Sequence, residues 1–197
     1  MNIRFAALVL LLAPSSLLAQ MGTTAQSYGV AVRTPTVNQQ TPSAVAPTDG
    51  STAQDQADNV TVAGLVTAQD VFATASGDGN DPADAFSSAT LGTLSILNGL
   101  ITADGVVAMA SSTVEGTNTE GSSIGNLVVN GVQMSDPAPN TLVNLAGVGY
   151  VVLNEQIPTS GGIIVNMIHV VLQQPLLFGG FRTIGEIVVG SASSGVN

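Results

Sequence analysis

The chain is expected to fold as an all-β protein, an antiparallel β-sandwich, and three features of the sequence lead there. From Asn59 to Val196, short apolar runs recur at close spacing, separated by clusters of Gly, Asn and Pro. Within the block from Asn98 onward, β-branched residues alternate with Gly, Asn, Ser and Thr, the period of a strand with one face in a core. No window supports an amphipathic helix. The best attempt, Pro82 to Ala89, opens on a proline that a helix start tolerates but extends only about two turns.

Taken in order, Tyr28-Gly29-Val30-Ala31-Val32-Arg33 reads as the first strand. Residues 34–58, rich in Thr, Gln and Ser with prolines at 35, 42 and 47, are too polar and interrupted to bury much. They are expected to form either a flexible tether or, in preference, an irregular crossing that packs only through Val45. Further strands are expected at Val60 to Ala68, Ala89 to Ile96, Leu100 to Ser111, Ile124 to Met134, Thr141 to Leu145, Gly149 to Glu155, Ile163 to Leu172 and Gly185 to Ser191. Asn130-Gly131 marks a tight turn or bulge, because that pair tolerates the positive φ angles of hairpin turns. Pro158 to Gly162 reads as a hairpin connection.

One internal echo falls inside this pattern. GLVTAQDVFATAS, Gly64 to Ser76, aligns without gaps with GLITADGVVAMAS, Gly99 to Ser111, 35 positions further on. A short β-solenoid-like stack is the alternative it raises, but stacked repeats need at least about three copies to bury a core. Two related strands in one sandwich is the simpler expectation.

Met1 to Ala19 has the form of an export signal. Arg4 supplies the positive start, Phe5 to Ala13 the apolar stretch, and Pro14-Ser15-Ser16 the break before Ala19, so cleavage is expected near Ala19–Gln20. A membrane span needs about 20 apolar residues, and this run is much shorter. The ending SASSGVN carries no hydrophobic tail or basic cluster. Residues 20–197 are therefore expected as a single soluble domain, secreted, on the cell surface or in the periplasm. It contains no cysteine, so no disulfide can staple it, and burial must supply the stability. The formal net charge is −10, and without Arg4 it becomes −11, with Arg33 and Arg182 the remaining strong cations. Two isolated arginines cannot neutralise a phosphate backbone, which excludes nucleic acid and argues against anionic membranes. Divalent cations remain open.

Few residues carry chemistry. His169, within Ile163 to Leu172, is expected on the strand face shared with Val165, Met167 and Val171, as a core histidine with its ring nitrogens satisfied. Without a second histidine or a cysteine it cannot complete a zinc site, and no GxSxG turn accompanies it. Asp78, Asn80, Asp81 and Asp84 form the one acidic cluster, and hard oxygen ligands so closely spaced could hold calcium. Pro82 and Ala83 break the EF-hand spacing, so a solvated turn is the competing reading. Tyr150, Asn154 and Glu155 could match sugar hydroxyls, or simply fix a strand end. Gln173 to Phe181 is a loop of exposed-looking apolar residues that either folds back or contacts another subunit.

NGLITADGVVAMASS, IGNLVVNGVQM, APNTLVNLAGVGYVVLNEQ, IIVNMIHVVL and IGEIVVGSASSGV occur in that order. In this succession the chain, from about Tyr28 to Val196, resembles the bacterial secreted family called choice-of-anchor P. The resemblance implies an exported surface or extracellular protein whose relatives carry varied C-terminal sorting signals. No such signal is visible here, so release, or retention through partners, is expected. The expected role is a non-enzymatic structural or adhesive module that self-associates or meets a cell-surface partner. A glycan- or calcium-binding protein is the alternative, and a hydrolase stands third.

Overall fold

Two antiparallel sheets pack face to face in the computed structural model, which describes residues 22–80 and 83–197. The expected leader at residues 1–19 lies outside them. All regular elements among the described residues are strands. In chain order they are β1 (Thr23–Arg33), β2 (Asn38–Val45), β3 (Thr52–Val62), β4 (Val66–Asp78), β5 (Asp84–Ile96), β6 (Ile101–Thr113), β7 (Gly116–Asn118), β8 (Ser123–Val129), β9 (Val132–Met134), β10 (Thr141–Leu145), β11 (Gly149–Thr159), β12 (Gly162–Pro175) and β13 (Phe181–Val196). One sheet runs β10-β11-β12-β13-β1-β2 and the other β3-β4-β5-β6-β8-β9, with β7 on β6. The sandwich predicted from the alternating pattern is the fold observed, and the stacked alternative is not.

The polar segment at residues 34–58 is where the structure departs most from expectation. It forms β2 and most of β3, adjacent edges of the two sheets. Edge strands with one wet face need few apolar residues, and Pro42 is tolerated because an edge strand can spare an N–H. Val45, the expected anchor, is 60% exposed; its neighbour Ala44 is buried instead. Val60 to Ala68 is not one strand, because Ala63 and Gly64 take positive φ and fold it into the β3–β4 hairpin. Asn130-Gly131 makes the β8–β9 turn, and Ser160-Gly161 the β11–β12 turn.

The strands do not keep one alternation along their length. In β1 the core-facing side chains are Ala25 and Ser27, then Val30 and Val32; in β13 they are Ile187 and Val189, then Ala192 and Ser194, while Ala31, Val188 and Ser191 between them are buried too. In β6, Ile101 and Ala103 give way to Val106, Ala108 and Ala110. Every strand except the short β7, β9 and β10 reverses its pleat once, and neighbours do so in the same row. The row passes through Pro42, Gly29, Gly190, Met167 and Asn154 in one sheet, and through Asp58, Asp70, Gly92, Gly105 and Gly125 in the other. Asp70, Gly105, Asn126, Asn154 and Gly190 there take φ between 46° and 70°, a region open to Gly and tolerated by Asn and Asp. Because the strands that cross the row reverse together, the ladder resumes beyond it and the core stays continuous. This explains the echo: Asp70 and Gly105 occupy equivalent places in it, and both copies encode a hairpin turn followed by a strand that reverses.

The core changes character across the row. On one side Val, Ile and Leu fill it, with Ile96, Ile101, Leu127, Leu153 and Ile168 fully buried. On the other, alanines dominate, among them Ala25, Ala73, Ala75 and Ala85. There serines cross between the sheets: Ser27 Oγ donates to the Thr74 carbonyl at 2.8 Å, and Ser87 Oγ to the Ser193 carbonyl at 2.8 Å. A serine reaching the opposite backbone means the sheets approach more closely than the usual ~10 Å. The sandwich is therefore a wedge with a thick aliphatic end and a thin Ala/Ser end.

Candidate functional site

The pleat reversal decides where the one histidine lies. Ile168 and Val170 of β12 face the core, so His169 stands on the outer face, opposite to Val165 and Met167. Its expected core position is corrected, for a physical reason: strand parity changes between Met167 and Ile168. On that face it joins a polar chain that crosses four strands. Ser191 Oγ donates to Asn166 Oδ1 at 2.7 Å, and Asn166 Nδ2 donates to Glu155 Oε2 at 2.6 Å. The same carboxylate oxygen lies 2.9 Å from His169 Nδ1. Beyond the ring, Nε2 lies 3.5 Å from Glu186 Oε2, within ion-pair range but making no hydrogen bond. Glu186 Oε1 accepts from Arg33 at 2.9 Å.

Charge follows this geometry. The hydrogen bond to Glu155 raises the His169 pKa above its ordinary 6.5; burial works against it, and the charges of Glu155 and Glu186 assist. Burial alone would raise the Glu155 carboxyl, but hydrogen bonds from His169 and Asn166, with the imidazolium charge, hold it below its ordinary 4.5. The arrangement suits a half-buried imidazolium held between two carboxylates. Acyl-transfer chemistry needs a nucleophile at the imidazole edge, whereas here Ser191 donates to Asn166 and the free edge faces Glu186.

The residues marked for sugar recognition do not come together. Glu155 is engaged by His169 and Asn166, and Asn154 bonds to the Pro137 carbonyl and to Gln156. Tyr150 lies five residues back along β11, about 16 Å at strand spacing. Asn166, Glu186 and Arg33, partners that sequence reasoning missed, carry no local signal, since only sheet register brings them to His169.

Of the acidic cluster, Asp78 and Asp84 close the β4–β5 hairpin as a cross-strand pair, Asn80 bonds to the Asp78 carboxylate, and Asp81 lies outside the described residues. Asp78 and Asn80 line a cleft of about 410 Å³ with Asp49, a carboxylate not singled out in the sequence. The Ser51 hydroxyl and amide hold Asp49 below the usual carboxylate range. Calcium takes about six to eight oxygens. The described residues gather no set of three acidic or imidazole groups fit for a metal.

The loop at Gln173 to Phe181 is the most exposed apolar feature. Beyond Glu186 β13 has lost β1, and beyond Leu172 β12 has lost β11, yet the two continue to pair through Gln174–Arg182 and Pro175–Phe181. A free hairpin therefore projects from the thick end. Gly179 and Gly180 take φ of 93° and 83°, and the tip closes by hydrogen bonds between Leu176 and Gly180 and between Gly179 and Leu176. Leu177 and Phe178 are essentially fully exposed, and Phe181 is 69% exposed. The loop does not fold back onto the sandwich. Arg182 on its stem and Arg33 at its base line one shallow cleft, so both arginines among the described residues lie at this end.

Compared with known proteins, the chain matches no family model, no curated protein and no solved structure.

Proposed function

We propose that this protein is an exported, non-enzymatic structural or adhesive module of the bacterial cell surface, making its contacts through the β12–β13 hairpin. The observation that carries the reading is the tip itself. A two-stranded projection holding Leu177 and Phe178 fully in solvent is a costly surface unless something covers it, and exposed apolar patches of this kind mark interaction sites. The sheet edges at β2 and β3 are poorer candidates. Pro42 interrupts β2, Asp55 and Asp58 charge β3, and the Asp55 carboxylate accepts the Ser43 amide at 2.9 Å, all of which blunt strand addition. The leader and the resemblance to choice-of-anchor P proteins support the export part of the reading.

The test is retention on cells. Purified protein is mixed with washed bacterial envelopes and pelleted; the wild type is expected in the pellet, and Leu177→Ser/Phe178→Ser in the supernatant. A wild type that stays in solution, or a double variant that pellets equally, overturns the reading. A second reading, calcium binding, has in its favour only the shared cleft of Asp49 and Asp78. It requires thermal stability to rise with calcium and fall back with chelator, by about 2.7 kcal/mol at a hundredfold excess over Kd.

A further inference from the structure

We propose that the exposed hairpin tip docks into a cleft at the opposite end of a second copy of this chain, so that copies join head to tail. This rests on the reading of the protein as a surface structural module and supplies its partner. The cleft, about 510 Å³, lies where β12 starts and β13 ends, and Val114, Pro158 and Val196 give it apolar walls. Its volume falls in the ~300–1,000 Å³ range of sites that take small apolar groups. Its one charged lining residue is Glu115.

Three observations favour a second copy as the occupant. The tip is apolar and its stem bears Arg182, while Glu115 stands at the cleft, so charge and surface type match. Arg33 is already paired with Glu186, so Arg182 is the cation that this end offers to the acidic remainder of another copy. Tip and cleft also sit at the two ends of one continuous strand pair, about 45 Å apart at strand spacing. A contact between two different surfaces does not close on itself as a two-fold dimer does, and copies therefore add in an open line unless the rotation closes a ring. Phe178 and Leu177 insert between Val114 and Val196, and Arg182 meets Glu115. The contact is small by the standard of stable interfaces, so it forms at high local concentration.

The experiment is sedimentation velocity of the purified protein over a dilution series from ~1 μM to ~1 mM, spanning weak affinities. The expected result is a mass that climbs without a plateau at the dimer. Phe178→Ser and Glu115→Arg each weaken assembly about tenfold or more, as expected when an aromatic anchor or a charge pair is lost. Glu115→Arg combined with Arg182→Glu restores it. All three positions are exposed, and unchanged circular dichroism and Tm in each variant show the fold intact. A monomer at every concentration, a closed dimer, or a polymer indifferent to both single variants overturns the proposal. So does a monomer that instead sediments with phosphatidylglycerol vesicles through the tip, which assigns the tip to lipid. Envelope retention without assembly defeats this inference alone, whereas assembly without retention defeats the functional reading alone.

Discussion

His169 lies between two carboxylates, and its charge state couples stability to pH. Folding raises its pKa above 6.5, so the contribution of the imidazolium is complete below about pH 6.5 and is lost as pH climbs through the folded value. Glu155 is shifted the other way, so its contribution is complete above about pH 4.5 and is lost as pH falls through its folded value. Both operate together between about pH 4.5 and 6.5, where stability is expected to peak. Thermal unfolding checks this: the wild-type Tm falls from about pH 5.5 to about pH 8, and most of that fall disappears in His169→Gln. An equal fall in the variant sinks the assignment. Glu155→Gln removes the charge that His169 and Asn166 share, costing about 1.5–3 kcal/mol near pH 5.5. Glu155 was legible as a polar residue at a strand end. Its partner was not, because the face that His169 presents beside Glu155 depends on a pleat reversal at Asn154 and Met167 that no local pattern announces, although the β11–β12 register itself is uninterrupted.

Among the elements, the row of pleat reversals positions everything else. Gly29 and Gly190 lie on it where the sheets approach: a Cβ on Gly29 overlaps Val71 Cγ1 of the facing sheet, and one on Gly190 comes 3.0 Å from Val106 Cγ1. Gly29→Ala is therefore expected to destabilise by about 1–3 kcal/mol through overpacking alone, since its φ is not positive. Urea denaturation measures it, and pairing with Val71→Ala should recover most of the loss; no loss in the single variant contradicts the packing described. The elements were legible where one wet face imposes clean alternation, as at Thr141–Leu145, which forms as read. They were obscured where Gly64 hid a turn inside an apolar run, and where edge strands β2 and β3 needed too few apolar residues to declare themselves. The echo between Gly64–Ser76 and Gly99–Ser111 was visible, but its meaning as a turn followed by a reversing strand emerged only from the ladder.

As a whole, the molecule is a wedge with unlike ends: an aliphatic thick end that carries the cations and the exposed tip, and a thin Ala/Ser end that carries an apolar cleft beside Glu115. Composition announced the fold class and the acidic surface, but not this polarity, because which loops share an end follows from topology. The sequence contains no tryptophan, so Phe178→Trp places a single indole at the tip. In dilute protein its emission is expected to have the long-wavelength maximum of a water-exposed indole, then to shift to shorter wavelength as concentration rises and a second copy covers it. An emission maximum already at short wavelength in the most dilute sample, or one that never moves, contradicts the account.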